Sequence, residues 1–387
     1  SVTRFYCKHK TKIQPFCLNI SKKKQLIYGI LHLDYSNIRI YTPERQVIIM
    51  IGFRVDANEQ IATGHLVRCI SIATELIKRG TKCIFFLAEE KETARLETAN
   101  IPYVILHTDW KHMESEYDIF LPLLNKYPLK WLVVDSYQIT PSYLATLNQR
   151  IPVLYLDDME TDTYPVSAVL HYGLRADYDT YFKRYLVLAG TKYSPLREEF
   201  QSTGAPVIRD KSILITTGGT DPYHVTLQIL SACLDHDKQT TAIPDSLKGF
   251  SFDVIVGSMN QDETQLQALA DRFPQIRIHK NVSNMSYYMR RNQLAVSAGG
   301  TTLSELCACS TPTVCFSFAD NQLNGVKQMG DQHIMLHAGD ARFDPVVSNI
   351  LRALDTYLTN DHLRKEYAAR MNALVDGHGV QRIADFL

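Results

Sequence analysis

No apolar run in the sequence approaches the roughly 20 residues that a membrane-crossing helix takes, and no block of like charge runs far enough to form a polyanion-binding face. Lysine plus arginine equals aspartate plus glutamate, 41 of each. Nucleic acid and membrane insertion therefore drop out as partners, and a small ligand is expected. The eight cysteines are scattered. Cys83, Cys233 and Cys315 lie in or beside apolar segments, where a reduced thiol acts as a small hydrophobe, and that use points to the cytoplasm. "CAC" at 307–309 lacks the two-residue gap and the second pair of a zinc site, so no metal is expected there. Basic residues near the start are followed by neither the apolar segment nor the small-residue cleavage site of a secretory leader.

What is present is a long rhythm of strand and helix. The 387 residues exceed what one core serves, so two domains are expected. Residues 1–45, with "SKKKQ" and "YTPERQ" around a tyrosine-rich run, differ in character and read as an extension of unassigned role, a strand pair being one form open to it. From residue 46, short apolar runs alternate with helical patterns: "VIIMIGF" (47–53), "KCIFFL" (82–87), "YVIL" (103–106), "WLVVD" (131–135) and "VLYLDD" (153–158). A second set follows: "SILITTGG" from 212, "FDVIVG" from 252, "IRIHKNV" from 276, "LAVSAGG" from 294 and "TPTVCFSF" from 311. Such alternation predicts parallel sheets covered on both faces. The expected architecture is α/β, with two doubly wound Rossmann-like domains at 46–200 and 212–387. The glycine- and proline-bearing stretch 201–211 is the linker.

Three local features point to a ligand cleft. "IATGHLVRC" (61–69) puts His65 directly after Gly64, where the strand "VIIMIGF" hands over to a helix marked by Leu66, Cys69, Ile70, Ala73, Leu76 and Ile77. In open α/β sheets that junction faces the ligand crevice, although a histidine there can equally serve as a helix cap. "TTGGTD" (216–221) and "SAGGTTLSEL" (297–306) each join a strand to a helix. Glycine lets the backbone approach a phosphate, so Gly218, Gly219, Thr220, Gly300 and Thr301 are candidate phosphate contacts. Neither loop has the spacing of a dinucleotide fingerprint or the lysine of a P-loop. Glu305, four residues beyond Thr301, is placed to accept two hydrogen bonds from a ribose diol.

These segments fall in one order with "VVDSY" (133–137), "LDD" (156–158), "AGTKYSPLREEF" (189–200) and "DNQ" (320–322). The chain resembles the UDP-sugar hydrolases of pseudaminic acid synthesis and their relatives in spore-coat and flagellar glycan clusters, a family similar in outline to the MurG glycosyltransferases. The resemblance covers nearly everything after residue 45 and implies the two-domain GT-B fold. It implies catalysis by His65, the match to the family's "GTGH" histidine, and it makes Arg54 and Asp56 the pair of the "FRxDA" motif. It also implies nucleotide binding by the C-terminal domain, with the backbone of "NVSNM" (281–285), Asn284 and Met285 included, meeting the uracil and Asn321 and Gln322 facing the diphosphate or sugar. "AVLHYGL" (168–174) and "AGTKYSPLREEF" depart from the family's usual residues, which leaves the sugar open.

The expected reaction is hydrolysis of a UDP-sugar at the anomeric carbon, releasing UDP and a diacetamido-trideoxy sugar, with no cofactor. His65 would take the proton of the attacking water, with Asp56 orienting the ring or the water. Tyr137 and Asp158, at strand ends, would line the sugar pocket; Tyr193 and Arg197 would shape the cleft or touch the ligand. Two alternatives stand beside hydrolysis: transfer of the sugar to an acceptor hydroxyl, and nucleotide-sugar binding without turnover. The oligomeric state is not legible.

Overall fold

The computed structural model describes residues 2–3, 18–19, 49–58, 60–61, 63–157, 164–174, 186–201, 208–234, 243–257 and 259–387. The chain forms two compact units, residues 1–48 and 49–387. In the first, strands β1 (Val2–Thr3) and β2 (Leu18–Asn19) pair antiparallel; the remainder of the 1–45 extension lies outside the described residues.

The second unit carries two parallel sheets. The first is built from β3 (Met50–Val55), β4 (Lys82–Leu87), β5 (Tyr103–Ile105), β6 (Leu129–Asp135), β7 (Val153–Leu156), β8 (Ala168–His171) and β9 (Leu186–Ala189), in spatial order β5-β4-β3-β6-β7-β8-β9. Helices α1 (Gly64–Lys78), α2 (Ala94–Thr98), α3 (Tyr117–Lys126) and α4 (Pro141–Asn148) make the crossovers. Strand residues such as Phe53, Phe85, Val133 and Leu154 are sealed on one face with Leu66, Cys69 and Ile72 of α1, while Phe86, Leu132 and Tyr155 pack on the other with Phe120 of α3 and Leu144 of α4. Burial on both faces is why these strands read as continuous apolar runs.

The second sheet holds β10 (Asp210–Thr216), β11 (Ser251–Val256), β12 (Ile276–Lys280), β13 (Asn292–Ala298), β14 (Thr313–Ser317) and β15 (Leu336–Asp340), in order β12-β11-β10-β13-β14-β15. Its helices are α5 (Val225–Leu234), α6 (Glu263–Arg272), α7 (Met285–Arg291), α8 (Thr302–Ala308), α9 (Asp320–Asp331), α10 (Val346–Thr359) and α11 (Asp361–Leu374). Both sheets reverse direction beside their first strand, at β3/β6 and at β10/β13, and in doubly wound sheets ligands bind at that reversal. The last helix, α12 (Gly379–Phe386), returns to the first sheet: Val380, Ile383 and Ala384 join the cluster under α1. The chain's final segment thus belongs to the core of the N-terminal half, a crossing that the 212–387 assignment does not include.

Strand edges differ from the apolar runs for a definable reason. β3 is displaced from 47–53 to Met50–Val55, because pairing to β6 continues through Arg54 to Val55; the buried arginine is neutralised by Asp56 and Glu116, so hydropathy breaks off before the ladder does. β10 starts at Asp210, inside the expected 201–211 linker. β8, β9 and β15, four or five residues each, have no counterpart among the apolar runs first read as strands. A chain shortened to begin near Met50 is expected to fold and turn over like the full chain, as judged by its melting curve and rate; loss of folding would give the extension a structural role.

Candidate functional site

His65 is the second residue of α1 and Asp135 is the last residue of β6, so they flank the reversal point of the first sheet from its two sides. His65 Nδ1 lies 2.6 Å from Asp135 Oδ1. Arg68, one turn further along α1, grips the same carboxylate: Nε donates to Oδ2 at 2.5 Å and Nη2 to Oδ1 at 2.5 Å, while Nη1 donates to the Tyr172 hydroxyl. The Cys69 thiol completes the cage at 3.6 Å from Oδ2. His65, Arg68 and Asp135 are all buried.

The proton inventory of this cluster is determined by geometry. Burial by itself would raise the Asp135 carboxyl, but the charges of Arg68 and His65 and the hydrogen bonds from both hold it well below the usual carboxylate range. An ionised Asp135 can only accept, so His65 Nδ1 carries the proton. Arg68 Nη2, 2.9 Å from Nδ1, is then a second donor sharing the same oxygen rather than a partner of the ring. In the neutral form of the ring, with the proton on Nδ1, the lone pair is on Nε2. The Tyr137 ring, 41% exposed, meets the imidazole edge-on at 4.3 Å between centroids and 81° between planes.

The Asp56 carboxylate, expected to orient the ring or the water, is bonded to groups other than His65. Its Oδ2 accepts from Arg54 Nη1 at 2.6 Å and its Oδ1 from the Ala88 amide at 2.7 Å, which ties the end of β3 to the end of β4. Arg54, fully buried, also forks onto Glu116, with Nε at 2.9 Å from Oε1 and Nη2 at 2.7 Å from Oε2, and Tyr143 donates to Glu116 as well. The pair of the "FRxDA" motif is therefore part of a buried ion network with Glu116. Breaking such a network is costly because a lone buried charge would remain.

The second sheet carries the two glycine loops. Gly218 has φ +83° and Gly300 φ +135°, left-handed values that glycine adopts without strain. Gly218, Gly219 and Thr301 are exposed and Thr220 is half-buried. A cavity of about 200 Å³ is bounded on one side by Thr63, Gly64 and Arg68 and on the other by Thr301, Ser304 and Glu305, with Tyr172 and Arg197 closing its ends. The Glu305 side chain is 18% exposed and 3.6 Å from Arg197 Nη2. Burial and the neighbouring Glu199 carboxylate, against the opposing charge of Arg197, push its carboxyl up to about 7.

The remaining expected residues divide. Asn284 caps α7, its Oδ1 accepting from the Tyr287 amide at 3.1 Å, and Met285 packs against the core beneath it. Gln322 Oε1 accepts from the Phe318 amide at 2.9 Å, and α9 lies so close to the second glycine pair that a Cβ on Gly299 would come within 2.8 Å of Gln322 Cβ. Asn321 is exposed at the start of α9. Tyr193 packs against the first core. Asp158 lies outside the described residues. Asp135 and Arg68 were not among the candidates, although both sit inside quoted motifs: an aspartate closing an apolar strand, and an arginine one turn after the histidine. Among the described residues, no group of three or more histidine, cysteine or acidic side chains comes together to hold a metal.

No protein-family model matches the chain. It is 25% identical over 339 residues to an uncharacterized protein of Methanocaldococcus jannaschii, covering 78% of this chain and 66% of that protein. It is 23% identical over 204 residues to the spore coat polysaccharide biosynthesis protein SpsG of Bacillus subtilis, covering 52% of this chain and 58% of SpsG. The matches thus span less than two thirds of each relative. Among solved structures, MurG of Acinetobacter baumannii superposes with a TM-score of 0.60 at 15% identity, over 87% of this chain and 98% of MurG. The fold is that of the GT-B glycosyltransferases, two parallel-sheet α/β domains, and SpsG is a distant homologue. No helix among the described residues is long and apolar enough to cross a membrane.

Proposed function

We propose that this protein is a nucleotide-sugar enzyme that breaks the bond between the anomeric carbon of a UDP-sugar and its diphosphate and passes the sugar to an acceptor hydroxyl. The observation that carries this reading is the Asp135-held imidazole next in the chain to Gly64, which with Arg68 lines a cavity that Thr301, Ser304 and Glu305 also line. The acceptor oxygen forms a bond to the anomeric carbon, its proton passes to His65 Nε2, and the carbon–oxygen bond electrons leave with UDP. Glycine-loop amides near Gly218, Gly219 and Gly300, with the hydroxyls of Thr220 and Thr301, neutralise charge developing on the diphosphate. Tyr137, against the imidazole, walls the sugar. Hydrolysis, with water as acceptor, is the second reading. It draws on the match of residues 53–69 to the hydrolase motif and would release a diacetamido-trideoxy sugar for nonulosonic acid or surface polysaccharide synthesis.

Incubation with UDP-, GDP- and CMP-sugars, scored for free nucleotide, tests the proposal. UDP release that depends on an added acceptor supports transfer, and release without one supports hydrolysis. Tight UDP-sugar binding with no release under either condition would leave only a binding protein.

Glu305 provides a separate check. An ionised carboxylate accepts two ribose hydroxyl hydrogen bonds of about 1.5–3 kcal/mol each. Glu305→Gln is therefore expected to weaken UDP binding by roughly tenfold or more. Because the carboxyl is held up at about 7, parent affinity should rise from pH 6 to pH 8 and that rise should vanish in the variant. The linkage has a definite sign: the folded state holds a proton that the unfolded state has lost, so the parent loses stability as pH climbs from the ordinary glutamate range toward 7. Calorimetry showing parent-like UDP binding and pH dependence in Glu305→Gln would remove the ribose assignment.

A further inference from the structure

The cavity of about 200 Å³ that Glu305 lines has a further wall, residues 194–197, contributed by the stretch between β9 and β10. Arg197 ties that stretch to Glu305, its Nη2 lying 3.6 Å from Oε1. Within it Ser194 is 1% exposed, and its Oγ is covered and has no hydrogen-bond partner among the described residues. Other hydroxyls on the cavity wall differ. Ser71 Oγ donates to the Val67 carbonyl at 3.0 Å, and the Tyr172 hydroxyl accepts from Arg68.

A buried hydroxyl without a partner lowers stability, and folded chains ordinarily pair such a group with backbone or another side chain. The surroundings of Ser194 work against that. Its amide donates to the Thr191 carbonyl at 2.9 Å and its carbonyl accepts from the Leu196 amide at 2.9 Å, so the nearest backbone groups are already engaged with one another. Pro195 follows and holds residue 194 extended, with φ −54° and ψ 119°. The start of α12 abuts the same peptide, where a Cβ on Gly379 would collide with the Ser194 carbonyl oxygen. The backbone is thus fixed, and the side chain keeps only rotation about χ1. The cavity is the direction from which a partner can arrive.

We infer that Ser194 is a ribose contact: its hydroxyl pairs with one hydroxyl of the nucleotide's ribose while Glu305 accepts from the diol. This rests on the UDP-sugar reading above. The volume points the same way. At about 200 Å³ the cavity is smaller than the roughly 300–1,000 Å³ of pockets that enclose a whole organic ligand, so it takes one ring of a nucleotide sugar, and a ring held there by Glu305 also meets the Ser194 wall. Ser194 therefore destabilises the free protein and stabilises the complex.

Calorimetric titration of the full chain and of Ser194→Ala with UDP, 2′-deoxy-UDP and 3′-deoxy-UDP, beside melting curves without nucleotide, tests this. Ser194→Ala removes an unpaired buried hydroxyl, so it is expected to melt at or above the parent temperature. It should also bind UDP about threefold to tenfold more weakly, the worth of one neutral hydrogen bond. With the deoxy nucleotide that lacks the partner hydroxyl, parent and variant should agree within about twofold. A hydroxyl that serves the fold predicts a lower melting temperature instead. That result, parent-like UDP binding by Ser194→Ala, or an equal loss with all three nucleotides would each overturn the contact. A parent that binds none of the three removes the UDP reading and this contact together. A loss in Ser194→Ala beside parent-like UDP binding in Glu305→Gln would keep Ser194 as the ribose residue and remove Glu305.

Discussion

His65→Asn is expected to lower turnover about a hundredfold or more while UDP affinity stays within a few-fold of the parent, the usual span for loss of a general base. The asparagine amide reaches neither the position nor the basicity of Nε2, yet it keeps a polar group at a helix start, where asparagine is a favoured cap. In the structure the helix offers no competing explanation: the α1 cap residue Thr63 makes no side-chain cap bond, and the imidazole points to Asp135. A folded His65→Asn protein with normal turnover would end the catalytic role and leave a structural one. Steady-state rates at saturating UDP-sugar, beside UDP titrations, separate the two.

Asp135→Asn is expected to act on both rate and stability. The new amide can turn its NH₂ toward the ring, which drives the imidazole proton to Nε2 and removes the base. In the serine-protease triad, where the aspartate plays the same part, that exchange costs about 10⁴ in kcat, and a loss on the order of a thousandfold is expected here. The substitution also leaves the Arg68 guanidinium buried without its carboxylate, a loss of about 3–5 kcal/mol. Replacing Arg68 by Met in the Asp135→Asn background removes the stranded charge, so stability should return while turnover does not. Recovery of both would mean that Asp135 serves folding alone. Near-parent turnover in folded Asp135→Asn would refute its positioning of His65.

Much of the architecture was open to a reader of the sequence, because a parallel strand buried on both faces must be apolar along its length. "KCIFFL" is β4 residue for residue, and "IRIHKNV" contains β12, which ends two residues earlier at Lys280. The same logic fails where charge is buried. Arg54 interrupts the apolar run within β3, and it is tolerated because Glu116, 62 positions later, neutralises it. Short strands such as β9 at the sheet edge give too few residues for a pattern.

The sequence by itself determined that a histidine stands at a strand-to-helix junction, that two glycine turns follow strands, and that a glutamate lies one turn beyond the second of them. Those are local properties, fixed by spacing along the chain. Which carboxylate holds the histidine was decided only by the tertiary structure. Asp56 is nine positions from His65 and Asp135 seventy, but β3 and β6 are hydrogen-bonded neighbours, with Val55 in register with Asp135. The nearer aspartate is turned into the interior by Arg54, and the distant one is brought to the ring because sheet order, and not chain order, sets which strand ends meet.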